Sequence, residues 1–202
     1  MTVSDTIVRK NAESRMFWLI RHAESVSNAG EKSLTHAGIE LSDVGKLQAQ
    51  SLADKIDFVP DLIVTSSYVR TQQTAEPLIK KFPQAIVEEW PVQEFSILDA
   101  RRCRNTTQAE RRPWVMEYYA RNDVDYVDGE GAESFNMLLA RVDVMFLRLG
   151  KISSDKKVLI FTHGNFMRAV RQKLDNRPLT LSEFVNQPMF ANTEIMDISK
   201  YF

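Results

Sequence analysis

Cysteine is all but missing from this chain: Cys103 is the single one in 202 residues. That excludes an internal disulfide framework and suits a reducing compartment, so a cytoplasmic location is expected. Histidine is scarce as well. Three histidines and one cysteine leave too few ligands for a zinc cluster, and no metal or other cofactor is expected. Long hydrophobic runs are absent too. The apolar stretch Met16 to Ile20 is far too short to cross a bilayer. The first 15 residues are polar and charged, with no apolar core of the kind a secretory signal needs, and are read as a tail. Charge of one sign is not in excess. A net charge of −1 provides no overall field for nucleic acid or membrane, so neither is expected as a partner. No repeat or low-complexity tract interrupts the chain.

What is present is ordinary in amount and informative in order. Apolar residues make up 44% and charged residues 26%, as in soluble globular proteins. The length suits one α/β domain, residues 1–202, with a modest insertion. Apolar runs alternate with helical patterns, the mark of a layered βαβ protein. Met16 to Ile20 reads as a strand buried on both faces. A helix is expected from Ser42 to Ile56, with Ala49, Leu52, Ala53 and Ile56 on one face. Asp61 to Thr65 reads as a strand, followed by a helix to about Lys81 and a short strand from Ala85 to Glu88. Thr107 and Glu110 have capping-box spacing, so a helix is expected from there to Arg121. An acidic loop, Asp123 to Gly131, precedes an amphipathic helix carrying Phe135, Leu138, Leu139, Val142, Phe146 and Leu149. Lys157 to Thr162 is the clearest strand; a helix from Asn165 to Leu174 and a last strand between Asn192 and Ile198 follow. The architecture expected is a three-layer α/β/α sandwich with a mostly parallel sheet and a small helical cap over about residues 95–131.

In such sheets ligands bind beyond the carboxyl ends of the strands. Polar residues gather at four of those ends or in the loops that follow them: Arg21-His22, Ser66 to Arg70, Glu94, and His163-Gly164. Two histidines, two arginines and a carboxylate suit phosphoryl transfer without a metal. Arginine pairs two phosphate oxygens with its planar fork. A neutral imidazole is a competent nucleophile near pH 7. A second histidine, protonated, can stabilise the equatorial oxygens of the transferring group, and a carboxylic acid can protonate the departing alkoxide. Each residue alone has a plain structural reading; the joint placement gives the chemistry. His36 lacks a strand-end context and is assigned to the surface.

The motifs in order resemble the histidine phosphatase superfamily, in its phosphoglycerate mutase-like branch. They are Arg21-His22-Ala23-Glu24-Ser25 with Asn28, Leu41 to Gly45 with Gln48-Ala49, Ser66 to Ala75, Gly131 to Ser134, and Thr162 to Asn165. The resemblance spans about residues 17–171. It implies that His22 carries the phosphoryl group within a pocket formed by Arg21, Arg70 and His163. Glu94 is then the proton donor, with Asp99 as the alternative. Asn28 and Gly164 are implied to contact phosphate or substrate, and Glu133 to orient the pocket arginines or the imidazole. The chain departs from the mutases after Glu94, where Phe95-Ser96 follow, and its stretch from Glu94 to His163 is shorter. The implied activity is therefore hydrolysis of phosphate monoesters. A mutase and a non-catalytic phospho-ligand module are the alternatives. The substrate is expected to be a small phosphorylated molecule, with a phosphoprotein as the alternative.

Two features stay open at this level. The arginines from Arg101 to Arg112, Arg101 and Arg102 foremost, fit either a second anionic site or a solvated face paired with the acidic loop. The aromatics Trp90, Phe95, Trp114, Tyr118 and Tyr119 fit either a pocket lining or cap packing. An exposed edge strand near Asn192 to Ile198 is able to pair between chains, making a homodimer one expectation. Residues 175–202 carry no functional reading.

Overall fold

The computed structural model describes residues 15–202. The expected tail, apart from Arg15, lies outside the described residues. Five strands form one sheet: β1 (Met16–Arg21), β2 (Leu62–Thr65), β3 (Ile86–Glu89), β4 (Lys157–Thr162) and β5 (Ile195–Asp197). Seven helices accompany them: α1 (Asp43–Lys55), α2 (Val69–Lys81), α3 (Ala100–Cys103), α4 (Gln108–Arg121), α5 (Phe135–Leu149), α6 (Gly164–Leu174) and α7 (Leu181–Val185). The strand order is β3-β2-β4-β1-β5, with every pair parallel except the antiparallel β1–β5 edge.

Alternation along the strands divides the core between the two faces of the sheet. Phe17, Leu19, Val64, Val158 and Ile160 face α5 and α6, meeting Leu138, Val142, Met145, Phe166 and Val170. Ile20, Ile63, Leu159 and Phe161 face the other way, onto Leu52, Ala53 and Ile56 at the end of α1 and Ala75 and Leu78 of α2. The result is the expected three-layer α/β/α arrangement with a mostly parallel sheet.

Local chemistry starts the helices. The Ser42 hydroxyl accepts the Gly45 N–H at the head of α1, and Ser134 accepts the Met137 N–H at the head of α5. Thr107 and Glu110 form both halves of the capping box that opens α4. Segment 95–131 holds α3 and α4. Phe95 joins it to the body through an edge contact with Phe184, and Tyr118 packs edge-on against Phe95 within the segment.

Several boundaries differ from expectation for local reasons. Serine and tyrosine at 66–68 form an extended turn, so α2 starts only at Val69. The turn α3 is capped by Asp99, which accepts the N–H groups of Arg101 and Arg102. Strand β5 is limited to Ile195–Asp197 because the chain before it turns away: Asn192 Nδ2 donates to the His22 carbonyl and Thr193 takes a left-handed backbone, φ 60°. Among the described residues no helix is long and apolar enough to cross a membrane.

Candidate active site

β1 and β4 are adjacent and parallel, with Arg21 opposite Thr162. Their next residues, His22 and His163, therefore leave the sheet side by side, with the His22 N–H donating to the Thr162 carbonyl at 2.9 Å. The two imidazole rings lie 5.1 Å apart. This is the carboxyl edge of the two central strands, where the chain connections diverge.

The state of His22 follows from its partners. Its Nδ1 lies 2.7 Å from the Ala23 carbonyl, which only accepts, so Nδ1 carries the hydrogen. Arg70 Nε donates to His22 Nε2 at 3.2 Å, so Nε2 presents its lone pair. Burial lowers the His22 pKa well below the ordinary histidine value, and the Arg70 and Arg21 charges add to the effect. His22 is thus a neutral, oriented imidazole.

His163 is fully buried, and its Nε2 is paired with the Ser66 hydroxyl at 2.9 Å. Its Nδ1 has no partner, and neither does Arg21 Nε. Two orphaned buried nitrogens beside a second arginine form a site that fits anionic oxygens. Burial, then the charge of Arg70, lowers the His163 pKa well below its usual value, so this second histidine is neutral here and not protonated as expected. Arg21 is held by the Phe190 carbonyl. Arg70 is fixed by the His36 carbonyl at 2.8 Å and stacks on Tyr68 at 4.8 Å. Burial brings the Arg70 pKa down to about 10, which still leaves it charged at neutral pH. Gly164 opens α6 where a Cβ would come 3.0 Å from Met189 Cε and 3.4 Å from Arg21 Nε.

A cavity of about 510 Å³ opens over this edge. Arg21, His22, Asn28, Arg70 and Glu94 line it. Glu94 Oε1 accepts the Asn165 N–H at 3.1 Å, which seats the carboxylate at the start of α6. Asn28 Oδ1 accepts from Ser25 N–H and Oγ, and Asn192 Nδ2 donates to the His22 carbonyl at 2.9 Å. Residues 189–192, for which the sequence offered no role, thus brace Arg21 and His22 from behind.

Not every expected residue arrives here. Arg101 and Arg102 do not line the cavity. Arg101 pairs with Asp99 at 3.2 Å and Glu130 at 3.5 Å, while Arg102 stacks on Trp114 at 4.3 Å and lies 4.0 Å from Asp128. They form the solvated face paired with the acidic loop. The end of the same cluster does reach the cavity, through Arg111 and Arg112 on α4. Asp99, the alternative acid, also lies outside it. Hydrogen bonding from Arg101 and from backbone N–H groups holds its carboxyl down at about 2, so it keeps no proton to donate. Glu133 touches neither the pocket arginines nor His22; it pairs with Arg141 at 2.5 Å. Among the aromatics, Phe95 and Tyr119 line the cavity, whereas Trp90 and Tyr118 are buried in the core.

Sequence reasoning missed His36, Tyr68, Gln108 and Arg168 in the lining. Arg168 follows Gly164 by one helical turn, a signal that was available. His36 had none: it comes from a loop, and burial followed by the charges of Arg111 and Arg70 lowers its pKa to about 4. The lining holds five arginines (21, 70, 111, 112 and 168) and one carboxylate, Glu94. Among the described residues no group of three His, Cys, Asp or Glu side chains is arranged to hold a metal ion.

Residues 17–199 match the profile of the histidine phosphatase superfamily, branch 1. The chain belongs to this superfamily. Its similarity to individual members is lower. It is 24% identical to the metal-independent phosphoserine phosphatase of Arabidopsis thaliana over 166 residues, 81% of this chain and 70% of that one. It is 27% identical to the adenosylcobalamin/alpha-ribazole phosphatase of Salmonella typhi, over 78% of each chain. It is 23% identical to phosphoglycerate mutase-like protein 4 of Arabidopsis thaliana, over 77% of this chain and 69% of that one. Among solved structures, a putative alpha-ribazole-5'-P phosphatase of Escherichia coli superposes with TM-score 0.72 at 24% identity, over 94% and 93% of the two chains. The mycobacterial glucosyl-3-phosphoglycerate phosphatase with vanadate gives 0.70 at 23%, over 91% and 90%. These structural likenesses speak for the fold. Phosphatases of different substrates and mutases stand together among the superfamily's relatives.

Proposed function

We propose that this histidine phosphatase hydrolyses small phosphate monoesters through a phosphohistidine at His22, without a metal. The observation that carries the reading is the fixed tautomer of His22: Nδ1–H bound to the Ala23 carbonyl, and the Nε2 lone pair facing Arg70. The ester phosphate takes the place between Arg21, Arg70 and His163. His22 Nε2 attacks phosphorus, the P–O bond to the alcohol breaks, and the Glu94 carboxylic acid gives its proton to the departing oxygen. The same carboxylate then takes a proton from water, whose oxygen attacks phosphorus and frees His22. The arginines carry the charge that accumulates on the equatorial oxygens.

The rest of the cavity suits a compact substrate. Ile39, Phe95, Ile97, Leu98 and Val115 offer an apolar wall, while Arg111 and Arg112 offer cations to a hydroxylated or anionic end. The hydrogen bonds of Arg111 go to neutral groups, the Ser27 and Ser33 hydroxyls at 3.3 and 3.2 Å among them.

The test is hydrolysis of an aryl phosphate by wild type and His22→Ala in the presence of chelator, with intact-mass detection of the phosphorylated protein. Turnover is expected in wild type, with loss of at least ~1,000-fold and disappearance of the adduct in the variant, the scale on which nucleophile removal acts. An adduct that passes its phosphoryl group to an added alcohol faster than to water would favour the mutase reading. Folded wild type that yields neither turnover nor adduct across a panel of monoesters would refute the enzyme.

A further inference from the structure

Glu94 lies in a stretch with no helix or strand: residues 90–98 have no repeating hydrogen-bond pattern to set the backbone. A proton donor misplaced by 1 Å costs on the order of 100-fold in rate, so beyond the Asn165 N–H that seats the carboxylate, the backbone around Glu94 must itself be held. Resting on the reading of Glu94 as the acid, we propose that Arg141 and Glu133 are positioning residues, a clamp that fixes the Glu94 loop against the phosphate site.

The geometry is specific to that task. Arg141 Nη1 donates to the carbonyls of Pro91 at 3.0 Å and Gln93 at 2.9 Å, immediately before Glu94. Its Nε and Nη2 grip Glu133 Oε2 and Oε1 at 2.9 and 2.5 Å. Glu133 Oε1 in turn accepts the Ser96 N–H at 3.1 Å, and the Glu133 N–H donates to the Ser96 carbonyl at 2.9 Å. One ion pair therefore holds the chain on both sides of Glu94. Both side chains are mostly withdrawn from water, at 14% and 11% exposure. A desolvated ion pair adds little stability that apolar packing would not match, and its use here fits fixing one geometry. The five donors of a guanidinium serve both carboxylate oxygens and two carbonyls at once, four bonds where an ammonium has three donors.

The test compares kcat/KM on two esters in the same protein: 2,4-dinitrophenyl phosphate, whose leaving group needs no proton, and an alkyl phosphate, whose leaving group does. Arg141→Met is expected to lose less than about threefold on the activated ester and ~10- to 100-fold on the alkyl ester, within the range of general-acid contributions. Arg141→Lys and Glu133→Gln are expected to shift the ratio the same way by less, and carry the test if Arg141→Met does not fold. Adding Glu94→Gln to Arg141→Met is expected to leave the ratio where Glu94→Gln alone puts it, because the clamp acts through that carboxyl. Equal losses on both esters in the folded clamp variants, with a selective loss in Glu94→Gln, would overturn the clamp alone. No selective loss in Glu94→Gln would overturn the assignment of the acid and the clamp with it.

Discussion

His22, His36 and His163 are the only histidines in the chain, and in the folded state the pKa of each is lowered. Burial is the first cause for all three, and neighbouring arginines add to it. The unfolded chain binds protons at these imidazoles near the ordinary value of about 6.5, while the folded chain refuses them. Stability is therefore fully present above about pH 6.5 and is lost as pH falls toward the folded-state values, about 4 for His36. The melting temperature is expected to decrease steadily from pH 7 to pH 5. His36→Asn, which removes one of the three groups, is expected to flatten that slope. A wild-type melting temperature constant across the window would count against buried neutral histidines. The same shift keeps His22 unprotonated as the solution turns mildly acidic, so the proposed nucleophile stays available there.

Helix α1 shows how an element far from the chemistry secures it. Gly45 packs so tightly on the loop after His22 that an added Cβ would lie 1.9 Å from the Glu24 carbonyl oxygen. That neighbour is backbone and has no rotamer to yield. Ser42 reinforces the contact, its hydroxyl donating to Glu24 Oε1 at 2.7 Å while accepting the Gly45 N–H. Gly45→Ala is expected to cost about 1–3 kcal/mol in denaturant unfolding, as overpacking does, and to lower activity by shifting the loop that follows His22. Unchanged stability would mean that α1 does not set that loop. Helix α4 does the corresponding work on the cap side: its capping box opens one turn before Arg111 and Arg112, which it delivers to the cavity.

The whole molecule concentrates positive charge at one edge of its sheet while its total charge is −1. Five arginines against one carboxylate in the cavity make an electrostatic trap for anions. Inorganic phosphate is expected to raise the melting temperature of wild type. At 100 times its dissociation constant, one bound ion stabilises by about 2.7 kcal/mol. Arg70→Met is expected to lose most of this gain, because its guanidinium is the one that meets His22. An undiminished gain in that variant would place the ion elsewhere. The elements and the four strand ends were legible in the sequence because they depend on local pattern: apolar alternation, caps, and polar residues placed just after strands. Which strand ends lie side by side was not legible: β1 and β4 are neighbours only in the folded sheet. What the sequence could not settle was the fate of residues whose surroundings come from distant segments. Arg101 and Arg111 stand in one cluster, yet the acidic loop takes the first and the cavity the second. Glu133 is spent on Arg141, His36 is drawn in beside Arg70, and residues 189–192 close behind His22. The sequence by itself determined the layers, the edge where the candidate site lies and the residue types there. Only the tertiary structure decided which charges are paired and which are left facing the cavity, because pairing depends on neighbours that folding brings from far along the chain.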